Sequence, residues 1–434
     1  MIKYFRLLYY LNQLMRNPFY KKDELRKIQN RKLRKIVSHS YETVQYYHDL
    51  FKKSAIHPND IKDIEDINKI PILRKKDIQY NTKKLISKKY NIQNLDLHST
   101  SGSTGIPLDV YLDEKEDHYR KAKHLRANLS CGMGPRDKWV TITSPNQFTH
   151  VSPIQKKLGI FAPEPLSVFI GAKAQLDVLN EKKPDILDGF SSSLYLLAKE
   201  AEKRGEHQVS PKMMFSGAEL SSENSRKYIE NIFSAPFYDQ YATIELERIA
   251  WQCPEQIGYH MDVDSVIVQF VDEEGHEVNP GETGEVVCTS LFNYAMPLLR
   301  YAVGDAAVPS DETCPCGRNF PLMEVVSGRK GDFVQLPDGR LLSPTSFVYV
   351  FILSPWNKYI DQYRLIQKKV DYFELYIVKR DPLTDEKELN RKIINDIHSK
   401  IGIKKGDIEI NIIYVDDIPL EKTGKLRAVI SEIS

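Results

Sequence analysis

A chain of 434 residues is too long for one ordinary core, so two or three domains are expected. Hydrophobic residues at 41% and charged residues at 28% are usual for a soluble globular protein, and 61 Lys plus Arg against 59 Asp plus Glu leave a net charge of +2, which gives no support for nucleic acid as the main partner. Five cysteines in this length do not make a disulfide framework, and no apolar run approaches the ~20 residues that span a bilayer.

The first sixteen residues, Met1 to Arg16, are aromatic and basic, interrupted by Arg6 and Asn12, with no small-residue cleavage site after them. They suit an amphipathic helix, packed either on the protein and its partners or in peripheral contact with a membrane surface. A cytoplasmic, soluble protein is the expectation. Leu25, Ile28, Leu33, Ile36, Val37 and Val44 fall near helical spacing, and Pro58 and Pro71 then break the chain into short pieces. Trp139–Thr143 reads as a buried strand, Leu194–Ala201 as part of a helix and Val266–Val271 as a strand. Asn279–Gly284 reads as a loop before a further strand, Glu285–Leu291. Near the end, Tyr372–Val378 is rich in β-formers. Glu386–Ile401 carries Leu389, Ile393, Ile397 and Ile401 at four-residue intervals, and Ile408–Val415 returns to strand. That succession predicts a small α+β domain, with a boundary in the polar stretch Gly328–Asp332.

The sharpest local feature is Ser99-Thr-Ser-Gly-Ser-Thr-Gly-Ile-Pro107, whose glycines and hydroxyls suit a loop wrapped around phosphate oxygens. It is not a Walker A loop, because no Gly-Lys-Ser/Thr follows. Further along come Ser216-Gly-Ala-Glu219, Tyr238-Asp-Gln-Tyr-Ala-Thr-Ile-Glu245, Arg300-Tyr-Ala-Val-Gly-Asp305, Ser327-Gly-Arg329 and Pro419-Leu-Glu-Lys-Thr-Gly-Lys-Leu-Arg427. In this order they resemble the core motifs of the adenylate-forming (acyl-CoA synthetase) superfamily. The likeness is to the phenylacetate–CoA ligase branch and its relatives in capsular polysaccharide gene clusters. Leu33–His39, Tyr46–Tyr47 and Ile70-Pro-Ile-Leu-Arg-Lys-Lys-Asp77 extend it to the N-terminal region, so that it spans nearly the whole chain.

The resemblance implies an α/β fold: a large N-terminal adenylate-forming domain with β-sheets and helices over residues 1–328, a hinge at 329–332, and a small mobile α+β domain over 333–434. It implies that a carboxylic acid is activated by ATP as an acyl-adenylate and then transferred, first of all to coenzyme A. An amine or a carrier thiol is the alternative acceptor, in an amide- or ester-forming ligase of surface polysaccharide biosynthesis. Thr100, Ser101, Gly102, Ser103, Thr104 and Gly105 would surround the β- and γ-phosphates, where donors offset the charge of departing pyrophosphate. Ala218 and Glu219 would border adenine, and Tyr241 and Thr243 would be further nucleotide-binding residues. Glu245 would hold Mg²⁺, a hard cation that takes carboxylate oxygen. Asp305 would accept from both ribose hydroxyls, Arg329 would lie near the nucleotide, and Lys425 would bring its ammonium to the substrate carboxylate and the α-phosphate.

The chain departs from the family pattern at Ala242, where Gly is usual, at Ile244, where Thr or Ser is usual, and at Gly331 in the hinge. These departures leave open a rival of another class, a degenerate nucleotide-binding scaffold without catalysis.

Cys253 and His260 followed by Cys314 and Cys316 provide three thiols and an imidazole, a complete tetrahedral zinc set with no open position, so that a metal there is structural. The alternative is a group of small buried thiols beside a core histidine. Cys131 and Cys288 read as core residues. No Gly-x-Ser-x-Gly elbow occurs, so a hydrolase is a poor reading.

Overall fold

The computed structural model describes the chain apart from residues 1, 100–107, 146–150, 206, 218–220, 222, 326–333, 343–346, 348–349, 352–353, 381–384, 419–427 and 434. The chain forms two compact units, each assembled from separated stretches. One takes Met1–His98, Asp109–Met133 and Tyr238–Gly328; the other takes Ser99–Leu108, Gly134–Phe237 and Arg329–Ser434. The second unit therefore combines the C-terminal segment with a central stretch of sequence.

The first unit opens with α1 (Ile2–Arg16), α2 (Lys22–Thr43), α3 (Gln45–Lys53) and α4 (Lys75–Leu85). In α1, Leu11 and Leu14 are buried and Tyr10 sets its edge against the rings of Tyr119 and Phe292. The helix thus packs on the protein by one face, while Phe5, Leu8 and Tyr9 stay exposed. Helix α2 starts where Glu24 reaches back to the Lys21 N–H, 3.2 Å away, which satisfies an amide that the first turn leaves without a partner. Leu25, Leu33, Ile36 and Val37 line its buried face at helical spacing. After β1 (Asp96–Ser99) and β2 (Asp109–Leu112) comes α5 (Glu114–Ser130), capped by the Asp113 carboxylate on the Glu116 N–H at 2.8 Å. Its sequence is charge-dense, yet Glu116, Arg120, Lys123 and Arg126 are all buried.

The second unit's central stretch holds β3 (Trp139–Thr143), α6 (Pro153–Leu158), β4 (Glu164–Ser167), α7 (Gly171–Lys182), β5 (Ile186–Gly189), α8 (Ser191–Arg204), β6 (Met213–Gly217) and α9 (Glu223–Phe233). Four strands pair in parallel in the order β6, β5, β3, β4. Alternation of strand with helix at these lengths dictates parallel pairing, because each crossover carries the chain back to the same edge.

The chain then returns to the first unit with β7 (Phe237–Thr243), β8 (Glu247–Trp251), β9 (Tyr259–Met261), β10 (Val266–Val271), β11 (Gly284–Ser290), β12 (Tyr301–Ser310) and β13 (Leu322–Val325). These pair antiparallel in the order β10, β11, β12, β13, β9, β8, β7. The strand expected over Glu285–Leu291 begins one residue earlier, because Gly284 already pairs with Ala307. Cys131 and Cys288 are buried, as expected of core thiols.

The C-terminal segment contains β14 (Val334–Gln335), β15 (Leu341–Leu342), β16 (Ile360–Lys369), β17 (Tyr372–Lys379), α10 (Glu386–Ile401), β18 (Glu409–Tyr414) and β19 (Val429–Ser431). Its four-stranded sheet runs β18, β17, β16, β19, and Leu389, Ile393, Ile397 and Ile401 of α10 are buried. These residues share one apolar core with Val140, Leu176, Leu197 and Met214. Arg340 adds a polar tie within this unit, donating to the carbonyls of Phe169 and Ile401, each at 2.8 Å. Its aliphatic stem lies over Gly171, where a Cβ would come within 2.8 Å of Arg340 Cδ, so only glycine leaves room there.

Candidate nucleotide and metal sites

Strands β7 and β8 form a hairpin whose pairing slips between Tyr241 and Ala242, and whose tip is Ile244–Leu246. Such a bulge turns the end of the ladder and re-aims its side chains. Thr243 Oγ1 accepts the Leu246 N–H at 3.2 Å, closing the turn. Glu247, which follows, takes a left-handed φ of 59°, a conformation that costs energy for a side-chain-bearing residue and needs outside support.

Two carboxylates near this hairpin are each held by a tyrosine. Tyr241 Oη donates to Asp305 Oδ2 at 3.0 Å, and Tyr301 Oη donates to Glu245 Oε1 at 2.8 Å. Burial, reinforced by Asp305, pushes the Tyr241 phenol well above its usual range. Burial, reinforced by Glu245, does the same to Tyr301. Both phenols therefore stay protonated at neutral pH and can act only as donors toward those carboxylates. Asp305 follows Gly304, whose φ of 86° falls where the pairing of β12 with β11 slips. Lys75, at the start of α4, lies close enough to Glu245 for the carboxylate to oppose the lowering of its pKa by burial. Leu73 brings that segment in, pairing with the backbone of Arg300 and Ala302 at 2.9 Å on either side of Tyr301.

Of the residues singled out in the sequence, Tyr241, Thr243, Glu245 and Asp305 fall within this one unit, and the two tyrosine bonds bring Tyr241 to Asp305 and Tyr301 to Glu245. Thr100–Gly105, Ala218, Glu219, Arg329 and Lys425 lie outside the described residues, as does Gly331. Ala242 pairs with Arg248, and the Ile244 carbonyl is bonded to Arg120. The register slip of the hairpin falls immediately before Ala242. Tyr301 was visible in the sequence only as a neighbour of Asp305. Its role as donor to Glu245 emerges from the pairing of Leu73 with β12 and had no separate signature.

A second cluster lies at the other end of the same strands. Cys253 follows β8, His260 sits on β9, and Cys314 and Cys316 occupy the turn between β12 and β13. Cys253 Sγ is 3.5 Å from Cys314 Sγ, His260 Nε2 is 3.3 Å from Cys316 Sγ, and all four donor atoms lie within 4.8 Å of one another. Zinc bonds of about 2.3 Å to sulfur and 2.0–2.1 Å to nitrogen require donors roughly 3.5–3.8 Å apart, so the set fits a tetrahedral ion with modest adjustment. His260 Nδ1 faces the Phe320 carbonyl at 3.1 Å, a contact that selects the tautomer with Nε2 free to ligate. Burial lowers the His260 pKa to about 4, with Arg318 acting in the same direction, so the ring is neutral.

The fold over which these features are arranged is that of the adenylate-forming ligases. A crystal structure of 2-hydroxyisobutyryl-CoA ligase in complex with 2-HIB-AMP and CoA in the thioesterification state matches with a TM-score of 0.65 at 18% identity, over 96% of this chain and 91% of that one. The open conformation of that enzyme matches at 0.63 and 16% identity, over 95% and 93%. Within that class the relatives are specific. A phenylacetate-coenzyme A ligase of Thermus thermophilus is 24% identical over 94% of this chain and 97% of its own length. One from Aromatoleum evansii is 28% identical over 88% and 89%. Protein CapK of Staphylococcus aureus is 24% identical over 95% and 90%, and a model of the CapK C-terminal domain matches residues 338–432. Over most of its length the chain is similar to phenylacetate-coenzyme A ligases, and its residues 338–432 match the CapK C-terminal domain.

Proposed function

We propose that this chain is an ATP-dependent, AMP-forming acid ligase that makes an acyl-adenylate and passes the acyl group to coenzyme A. The observation that carries this reading is the pair of tyrosine-held carboxylates, Asp305 and Glu245, in motifs that fall in the order of the family. A carboxylate oxygen of the acid attacks the α-phosphorus of ATP, the bond from that phosphorus to pyrophosphate breaks, and acyl-AMP results. The thiol of coenzyme A then attacks the acyl carbon and AMP leaves. Asp305 accepts the ribose hydroxyls and Tyr241 fixes its orientation. Glu245 offers one carboxylate oxygen already oriented by Tyr301, suited to a hard cation bound jointly with phosphates. Bound there, Mg²⁺ supplies charge neutralisation for the departing pyrophosphate.

On the family pattern, Thr100–Gly105 hold the phosphates and Ala218 and Glu219 border adenine. Arg329 approaches the nucleotide, and residues 329–332 serve as the hinge on which a C-terminal domain from residue 333 brings Lys425 to the reacting carboxylate. The four Cys/His donors hold a structural zinc ion. Use of ATP and five cysteines outside any disulfide favour a cytoplasmic setting.

Exchange of pyrophosphate into ATP, dependent on an added acid, tests the first step. Phenylacetate and other aryl acids should support it and Lys425→Ala should abolish it. No exchange above that variant with any acid of a broad panel would favour the non-catalytic scaffold.

The CapK-type C-terminal part favours a second reading of the acceptor, an amine or carrier thiol used in surface polysaccharide synthesis. Trapped adenylate offered coenzyme A and amino sugars in parallel separates the two. The exposed Phe5, Leu8 and Tyr9 on α1 support peripheral membrane contact. Pelleting with anionic vesicles that survives Phe5→Glu combined with Leu8→Glu would remove that role.

A further inference from the structure

We propose that Arg120 is a positioning residue that sets the backbone of Glu245, and through it the divalent-cation dependence of ATP binding. The inference rests on the reading of Glu245 as the cation ligand. Three successive carbonyls of the β7–β8 tip face α5. Arg120 Nη1 donates to the Ile244 carbonyl at 2.7 Å and Nη2 to the Glu245 carbonyl at 2.6 Å, while Lys123 Nζ donates to the Leu246 carbonyl at 3.2 Å. The tip is not a solvated turn: Glu245 and Leu246 are buried.

The two carbonyls bound by Arg120 belong to the two peptide planes that meet at the Glu245 Cα. A planar guanidinium that holds both planes fixes φ and ψ of that one residue. Glu116 Oε1 accepts from Arg120 Nε at 3.0 Å, so the fork itself has one orientation. Both members of that ion pair are almost fully buried, with side-chain exposures of 10% and 6%. Tyr301 orients the carboxylate end of Glu245, and Arg120 its main-chain end. A lysine ammonium has donors to offer but no rigid planar fork, so it would hold the two peptide planes less firmly.

Arg120 also lies near His98 of β1. Burial lowers the pKa of His98, and the Arg120 charge adds to that lowering. The same guanidinium thus neighbours the end of β1 and the tip that carries Glu245. Glu116 accepts only from Nε, so the Nη donors of this buried guanidinium are met by the two hairpin carbonyls.

Calorimetric titration of ATP at stepped Mg²⁺ concentrations reads the effect without turnover. Wild type should bind ATP more tightly as Mg²⁺ rises. Arg120→Met should lose about 10- to 100-fold of that gain, the usual range for groups that orient a metal ligand, with Mg²⁺-free affinity changed by no more than about threefold. Arg120→Lys should fall between. Unchanged Mg²⁺ response in the variants overturns the proposal, whatever happens to their melting temperatures. If Arg120→Met does not fold, the Arg120→Lys titration decides by the same criterion. Wild-type ATP binding indifferent to Mg²⁺ would instead overturn the role of Glu245, and this inference with it.

Discussion

Tyr301 donates its phenolic hydrogen to Glu245 Oε1 across 2.8 Å, and both side chains are buried. A hydrogen bond to a buried carboxylate contributes about 1.5–3 kcal/mol, and its loss leaves the acceptor without that partner. Tyr301→Phe should therefore raise the Mg²⁺ concentration needed for half-maximal pyrophosphate exchange by about tenfold or more. An unchanged Mg²⁺ requirement would show that Glu245 needs no orienting donor.

Asp305 and Tyr241 should separate by degree. On the proposed role of Asp305 as acceptor of the ribose hydroxyls, Asp305→Ala should weaken ATP by about 10- to 100-fold. Tyr241→Phe leaves the carboxylate but loses its 3.0 Å donor, with an expected weakening of severalfold. Equal losses in the two variants, measured by titration with ATP, would mean that Tyr241 itself contacts the nucleotide.

For the Cys253–His260–Cys314–Cys316 cluster, metal analysis of purified protein should find about one zinc per chain. Cys314→Ser should lose it and lower the melting temperature. Because β12 carries Asp305 and leads into the turn that holds Cys314 and Cys316, stripping the ion should also weaken ATP binding. Full-length protein with no zinc and an unchanged melting temperature after chelation would leave a cluster of buried thiols in its place.

Lys32 ties α2 to the first unit, donating to the Asp264 carbonyl at 2.6 Å and to Tyr119 Oη at 3.1 Å. Burial lowers its pKa to about 8 from a usual 10.5, against the pull of Asp264 and with help from Arg126 and Lys123. Between those values the unfolded chain holds more protons than the folded one, so stability should rise as the pH climbs from about 8 to 10.5. The same contribution is lost as the pH falls back through about 8. Urea unfolding at pH 7.5 and 10.5 should show wild type gaining up to about 3 kcal/mol relative to Lys32→Met. A constant difference between the two proteins would place Lys32 in solvent.

Some of this was legible in the sequence because the signal is local. Leu389, Ile393, Ile397 and Ile401 predict α10 to its observed bounds, Glu386–Ile401, since one apolar stripe at a four-residue interval has a single helical solution. Trp139–Thr143 appears as β3 for the matching reason, a short β-branched run. Helix α5 was not legible. Read alone, Glu114–Ser130 is a solvated, charged helix, and what buries it is a set of partners that come more than a hundred residues later: the carbonyls of Ile244–Leu246 and the carboxylates of Asp262 and Asp264. The same distance hid Tyr301 as the partner of Glu245, whereas the Cys/His cluster showed itself through its ligand chemistry.

The discontinuity of the first unit has a consequence for how the chain comes off the ribosome. When residue 133 has been made, Arg126 has neither Asp262 nor Asp264, Lys32 has no Asp264 carbonyl, and Arg120 has no hairpin to hold. A further 130 or so residues must be added before those charges meet their partners, on the order of ten seconds at ordinary elongation rates. Through that interval those charged side chains favour water over burial, because burying them without partners is costly. The ionic core of this unit can therefore close only after residues 262 and 264 have been made.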